Sequence, residues 1–188
     1  MHVVSSSLIR ALKALYKGSN ARVRINGAYT EPFRIEKGVR QGCVASPWLF
    51  NLFMDQCLTS LKESDWGLRM NELLIKCLLY ADDQVILASS ASELQKMVTL
   101  MDEALTEKKM KVNVSKIKVL VFERDENMTV CDITIGEEKV EQVKEFVYLG
   151  SVFTRDGKCD SDIEKRVKAG NMVNEAMHAF MSSLKRHD

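Results

Sequence analysis

Proline occurs only twice and glycine nine times in 188 residues, so no Pro- or Gly-rich linker divides the chain, and no repeat or low-complexity tract interrupts it. No stretch approaches the roughly 20 uninterrupted apolar residues of a membrane span. The N-terminus lacks the basic, apolar, small-residue order of a secretory signal. A soluble, intracellular protein without a membrane partner is expected. Cysteine is sparse and odd in number: Cys43, Cys57, Cys77, Cys131 and Cys159 include no C-x-x-C pair, which suggests neither a disulfide framework nor a zinc knuckle. Residues 1–30 contain no Asp or Glu at all.

With 46% hydrophobic and 28% charged residues, the chain suffices for one globular domain with a core. Its net charge of +1 is unevenly spread. Arg10, Lys13, Lys17, Arg22, Arg24, Arg34, Lys37 and Arg40 face only Glu31 and Glu36 in residues 1–42, leaving +6 there and −5 elsewhere. A second basic stretch holds Lys108, Lys109, Lys111, Lys116 and Lys118. Such segments are compatible with a polyanion groove; taken alone they read first as solvated faces.

Periodicity outlines an α+β chain with helices on one side of a largely antiparallel sheet. Leu8, Ile9, Leu12, Leu15 and Tyr16 are spaced for one helical face behind a capping serine cluster and before Gly18. Residues 21–35 read as a basic hairpin turning at Asn26–Gly27. Ser46–Pro47 opens a buried helix, with Ser46 as N-cap. Two apolar runs, Leu73 to Tyr80 and Val85 to Ala88, form a core hairpin with an exposed tip. A helix over 92–107 starts at a capping pair, Ser92 with Gln95. Residues 110–122 read as a strand, TVCDITIG and EFVYLGSVF as further strands, and Asp160 to Arg186 as a last helix.

The chemistry centres on Asp82 and Asp83. Adjacent acids between two apolar strands sit at a hairpin tip, fixed by the ladder beneath. Fixed carboxylates suit a hard cation, since magnesium takes a few carboxylate oxygens plus substrate phosphates. Asp-Asp is also ordinary turn chemistry, so the neighbouring residues must decide.

Tyr80-Ala81-Asp82-Asp83 before an apolar strand resembles motif C of the reverse transcriptases. GVRQGCVASPWLFNLFMD, Gly38 to Asp55, resembles motif B of the non-LTR (LINE-like) retrotransposon polymerases. MKVNVSKIKVLVF, Met110 to Phe122, resembles motif D, and Phe146 to Gly150 looks like motif E, the primer grip. These segments stand in family order and cover most of the chain.

The resemblance implies a partial right-hand polymerase palm: fingers and palm over 1–145, a primer-grip hairpin over 146–158, and the start of a thumb helix over 159–188. It implies Asp82 and Asp83 as catalytic metal ligands for Mg2+, with Mn2+ as a substitute. Arg40, Gln41 and Gly42 would lie where the incoming deoxynucleotide meets the template. Gly42 suits that role because a residue without Cβ admits a close ligand; a plain loop-shaping role for Gly38 and Gly42 fits as well. Lys116 would stand near the pyrophosphate leaving group. Tyr148, Leu149 and Gly150 would support the primer backbone, although Tyr148 and Leu149 also read as core residues.

Lys109 stands where the family usually has glycine, Ile117 where it has threonine and Ala45 where it has leucine. A strand-borne aspartate of motif A, which shares the metals with motif C, finds no counterpart here, and Glu31, Glu36 and Asp55 are poorly placed to replace it. A truncated polymerase is therefore expected, whose parent activity is RNA-templated DNA synthesis on an RNA template and DNA primer, and which is inactive alone. Two other readings stay open: weak, sequence-indifferent nucleic-acid binding, and a structural relic whose sheet another chain completes.

Overall fold

The computed structural model describes residues 4–123 and 129–184, so Lys185 and Arg186 of the expected last helix lie outside the described residues. The chain divides into two compact units, Met1–Phe53 and Met54–Asp188, with the boundary inside helix α2 (Ser46–Cys57).

In the first unit, α1 (Ser6–Tyr16) begins where the Ser5 side chain accepts the Leu8 N–H at 3.3 Å. Gly18 follows it with φ +70°, a backbone conformation that stops a helix without steric cost. Strands β1 (Asn20–Ala21) and β4 (Phe33–Arg34) pair antiparallel, as do β2 (Arg24–Ile25) and β3 (Ala28–Tyr29). Asn26 and Gly27 at φ 49° and 87° make the two-residue turn with both centres left-handed that matches strand twist. The basic hairpin read from the sequence is present. The apolar face of α1 is uncovered at Leu8, Ile9 and Leu15.

The second unit contains α3 (Thr59–Glu63), the hairpins β5 (Leu68–Met70)/β6 (Leu73–Ile75) and β7 (Cys77–Tyr80)/β8 (Asp83–Ile86), and α4 (Ala91–Glu107). After a 3-10 turn at Val114–Lys116 come β9 (Lys118–Leu120), β10 (Thr134–Ile135), β11 (Glu138–Lys139) and β12 (Glu141–Val143). The hairpin β13 (Glu145–Tyr148)/β14 (Ser151–Thr154) and α5 (Asp160–Leu184) complete it.

Helix α4 organises the core by facing two ways. Leu94 and Val98 pack on buried Val119, Cys131, Ile133 and Val140. Met97 is buried with Leu58 and Leu61, and Met101, Trp66, Cys77, Ile86 and Ala88 pack around them. Both pairs on the helix are four residues apart, the spacing that stacks side chains on one face. Lys76 seats the second hairpin: its ammonium donates to the carbonyls of Lys62 and Ser64 at the end of α3, where helix carbonyls lack partners and favour a cation.

Gly67 is needed for space as well as for conformation. At φ +142°, a Cβ there would meet the Ile75 carbonyl oxygen at 2.8 Å. Gly67→Ala is expected to destabilise this unit by about 2 kcal/mol, seen as a lower urea midpoint; a midpoint equal to the parent's would show that the backbone relaxes there at no cost.

The second unit departs from the sequence reading in its sheet, its hairpin core, one strand and one helix cap, and the first unit in its sheet. The described strands form seven two-stranded ladders, not one sheet, and the β9–β12 ladder is parallel. Six of these ladders are local products of their turns or short connections, and no described strand lies between them to fuse them. The run Leu73 to Tyr80 is divided at Lys76 between two hairpins, and the outer part of the second is not core: Leu78, Leu79 and Tyr80 are exposed. The expected strand over 110–122 shrinks to β9, because Ser115 bonds the Asn113 side chain at 2.7 Å and Ile117 N–H closes on Val114 O at 3.0 Å. Such local polar bonds compete with a ladder. The α4 cap is Ser90, which accepts the Glu93 N–H, while Glu93 accepts from Ser89. Gln95, expected in the cap, instead exchanges two bonds with the Thr134 backbone at 2.8 and 2.9 Å, tying α4 to β10.

Candidate active site

Four cross-strand pairs, Cys77↔Ile86, Leu78↔Val85, Leu79↔Gln84 and Tyr80↔Asp83, fix the β7–β8 register and leave Ala81–Asp82 as a two-residue turn. Ala81 takes φ +54°, a left-handed conformation that costs an L-residue about 1 kcal/mol. The ladder offsets that cost and fixes the direction of the tip. The base of the hairpin is anchored where Cys77 and Ile86 pack on the Leu58–Leu61–Met97 cluster. Burial there pushes the Cys77 thiol pKa up, with Lys62 and Lys76 opposing, as suits a thiol packed among apolar side chains. Gln84 reaches Met54 Sδ at 4.0 Å, and its Oε1 is enclosed without a hydrogen-bond partner in the structure.

Asp82 and Asp83 project at the exposed end of this support. Their oxygens are the hard donors magnesium takes, and one or two carboxylates are what it ordinarily accepts from protein when phosphates complete the shell. Among the described residues no third His, Cys, Asp or Glu joins them to form a metal-binding group. The donor chemistry fits a divalent cation; the donor number is that of a shared site.

In the first unit, the loop carrying Arg40, Gln41 and Gly42 is held by a polar ring. The Ser46 hydroxyl donates to Arg40 O at 2.6 Å, and the Tyr16 hydroxyl lies 3.2 Å from Ser46 Oγ and accepts the Arg40 N–H at 3.4 Å. Because Ser46 spends its proton on the carbonyl, Tyr16 is the donor between the two hydroxyls. Ser46 therefore does not cap α2 as expected; it is the one buried polar residue among the described residues and serves the loop. Gly38 and Gly42 have φ +89° and +77° with open space where a Cβ would stand, so the turn conformation requires glycine, and Gly42 leaves its backbone accessible. Lys37, Arg40 and Gln41 line a pocket of ≈ 650 Å³ with Tyr16, Ser19 and Asn20.

Tyr16 read from the sequence only as part of an apolar face; the hydroxyl at the end of that face was the available signal. Tyr16→Phe removes one donor and one acceptor and should weaken the loop by about 1 kcal/mol. Amide exchange over residues 38–43 is then expected to quicken roughly 5-fold. Exchange equal to the parent's would strip Tyr16 of this supporting role.

Lys116 ends the 3-10 turn with an exposed side chain, whereas Lys118 is paired with Glu141. Tyr148 is half-buried at the end of β13, and Leu149 and Gly150, at φ 48° and 81°, form the exposed turn to β14. That hairpin is locked to α5. Asp162 accepts the Val152 N–H at 2.9 Å and Arg166 Nε at 2.8 Å, and Arg166 also donates to Ser151 Oγ at 2.9 Å. The bond from Arg166, then that from Val152, holds the Asp162 carboxyl below the usual range. Neither residue stood out in the sequence, because an i,i+4 acid–base pair reads as a solvated helix face. No hydrogen bond or ion pair among the described residues joins Asp82 or Asp83 to Lys116 or to Tyr148.

Residues 2–153 match the family described as reverse transcriptase (RNA-dependent DNA polymerase). The chain belongs to the reverse transcriptase family. Among its relatives is the retrovirus-related Pol polyprotein from type-1 retrotransposable element R2 of Nasonia vitripennis, 29% identical over 152 residues, covering 76% of this chain and 15% of that protein. The corresponding polyprotein from type-2 retrotransposable element R2DM of Drosophila melanogaster is 28% identical over 151 residues, 76% of this chain and 14% of the relative. A Transposon TX1 149 kDa protein of Xenopus laevis is 30% identical over 107 residues, 56% of this chain and 8% of its own. The non-LTR resemblance read from the motifs thus meets relatives from R2 elements and TX1. This reverse transcriptase chain spans at most 15% of the length of these relatives. Membership implies a polymerase palm-like fold, to which the helices and short, mostly antiparallel ladders belong. No helix among the described residues is long and apolar enough to cross a membrane.

Proposed function

We propose that the chain is a fingers–palm portion of a retrotransposon reverse transcriptase, acting in RNA-templated synthesis of DNA by attack of a primer 3′-hydroxyl on a deoxynucleotide. The observation that carries this reading is Asp82–Asp83 on a rigid, core-anchored hairpin end in a chain matched to the family over residues 2–153. Asp82, with Asp83 beside it, would hold the divalent ions, Mg2+ or Mn2+. Such ions neutralise charge on the transferred phosphoryl group and lower the pKa of the attacking hydroxyl.

The chain's own residues do the rest. Gln41 and Gly42 line the place where nucleotide meets template, on a loop that Tyr16 and Ser46 keep in one conformation. Arg40 adds positive charge beside them, and Lys116, exposed and in no ion pair among the described residues, serves the leaving pyrophosphate as a point charge. The Tyr148–Gly150 turn supports the primer backbone, and α5, locked to it through Asp162 and Arg166, begins the thumb.

Two carboxylates alone leave the metal set incomplete, so the 188 residues by themselves should not polymerise. Primer extension on an annealed RNA template tests this, comparing the chain with a version carrying an added aspartate-bearing strand of the family's motif A. Activity only in the extended version supports the reading. Templated incorporation by the 188-residue chain, lost on Asp82→Asn, overturns the inactivity; none in either version favours a binding role without catalysis.

A further inference from the structure

We infer that Asp162 and Arg166 are positioning residues for the primer: together they tie the exit of the Leu149–Gly150 turn to α5, so that the turn keeps one place relative to that helix. The inference rests on the proposed polymerase reading for what the turn supports; the tie itself stands on geometry alone.

The hairpin requires such a tie. Among the described strands β13 and β14 pair only with each other, and an isolated two-stranded ladder is marginal in water. Its turn holds Leu149 and Gly150 in the left-handed region, at φ 48° and 81°, which is unfavourable for leucine. The outer edge of β14 also presents amides that no third described strand takes up. Asp162 accepts one of them, the Val152 N–H, through Oδ1 at 2.9 Å, and its Oδ2 accepts from Arg166 Nε at 2.8 Å. Arg166 Nη2 then donates to Ser151 Oγ at 2.9 Å. The first two residues after the turn are thus held by one carboxylate and one guanidinium, which are four residues apart on one face of α5. Arginine suits this place because its planar guanidinium offers two directed donors, whereas an ammonium is a point charge.

The open end of the hairpin is anchored independently. The Arg155 N–H donates to Lys144 O at 3.0 Å, the Glu123 N–H to Arg155 O at 3.0 Å, and Arg155 Nη1 to the Glu123 carboxylate at 3.3 Å. Between the two anchors the connection from β14 to α5 is closed on itself, by Gly157 N–H on Thr154 O at 3.0 Å and Lys158 N–H on Asp156 Oδ1 at 3.2 Å. Glu123, Asp156 and Asp162 are each held below the usual carboxylate range by the bonds they accept, first from Thr129, Thr154 and Arg166 respectively. Hairpin, connection and the start of α5 therefore form one elbow, and the Asp162–Arg166 pair is the part of it that reaches the turn. Beyond Asp162 every described side chain of α5 is exposed, so the pair lies where the helix meets its unit.

The test is binding by the full 188-residue chain of an annealed DNA primer on an RNA template, against the same template without primer. Asp162→Ala and Arg166→Lys should each weaken binding of the primed template about 10-fold and leave that of the unprimed one within about 2-fold. Asp162→Ala makes the chain more positive, which by itself favours a polyanion, so a loss confined to the primed template is not a charge effect. Glu164→Ala makes the same change of charge on an exposed residue outside these bonds and should weaken neither. Exchange of the Val152 amide should quicken in Asp162→Ala while exchange at buried Val119 and Val140 stays at the parent's rate, which excludes a folding failure. Asp82→Asn should leave primed binding alone, so failure of the polymerase reading shows in incorporation and failure of this one in primed binding. Equal weakening of both templates, no weakening by either variant of the pair, or a loss in Glu164→Ala as large as that in Asp162→Ala overturns the proposal.

Discussion

With an aspartate-bearing strand of the family's motif A added upstream, Asp82→Asn should lower templated incorporation by about 10³-fold, the rate equivalent of several kcal/mol of transition-state stabilisation from a metal. The substitution is chosen for what it leaves intact. Asparagine matches aspartate in size and in tolerance of turn positions, so the Tyr80↔Asp83 closure of the hairpin and the packing of its base are unaffected. Only the charge is lost, and with it the ligand a hard cation prefers. Asp83→Asn keeps the same ladder bonds, because β8 pairs through its backbone, and separates a directly bound carboxylate from one that only adds field. Circular dichroism should be unchanged in both variants. Incorporation by Asp82→Asn within about 10-fold of the parent would remove the carboxylate from the chemistry and leave the hairpin as a structural turn.

Much of this arrangement was legible in residue order. Asn26–Gly27 announced its turn through the one backbone conformation that pair favours, and the apolar runs around Asp82–Asp83 announced a hairpin. The hidden parts depend on long-range partners. Ser46 read as a helix cap because serine before proline usually is one; its hydroxyl went instead to Arg40, brought near by a loop the sequence does not constrain. Gln95 offered the right spacing for a cap, yet the Thr134 backbone, 39 residues on, took both ends of its amide. The expected continuous sheet failed for a related reason: alternation predicts strands but not their neighbours, and the described strands stay in pairs. The charge imbalance was countable from the sequence, whereas only the structure shows that seven cations of the second unit have acidic partners and that, among the described residues, none of the eight in residues 1–42 forms an ion pair.

Met97 tests whether the core of the second unit is what aims the carboxylates. Its side chain is 0% exposed and is packed among Leu58, Leu61, Trp66, Cys77, Ile86 and Ala88, so it touches both the helices and the base of the β7–β8 hairpin. Met97→Ala removes buried apolar atoms and leaves a cavity bounded by separate elements that cannot all collapse into it. A loss of about 2–5 kcal/mol is expected, a large share of the stability of a unit this size. Met97→Leu keeps nearly the same volume and should cost less than about 1.5 kcal/mol. Urea unfolding followed by circular dichroism reads the difference, and amide exchange over residues 77–86 reads its location. The alanine variant should speed exchange in the hairpin before it melts α5, which is held by Asp162 and Arg166 and not by this cluster. If hairpin exchange in Met97→Ala equals that in Met97→Leu, the turn keeps its aim without the core, and the β7–β8 ladder alone must fix the carboxylates.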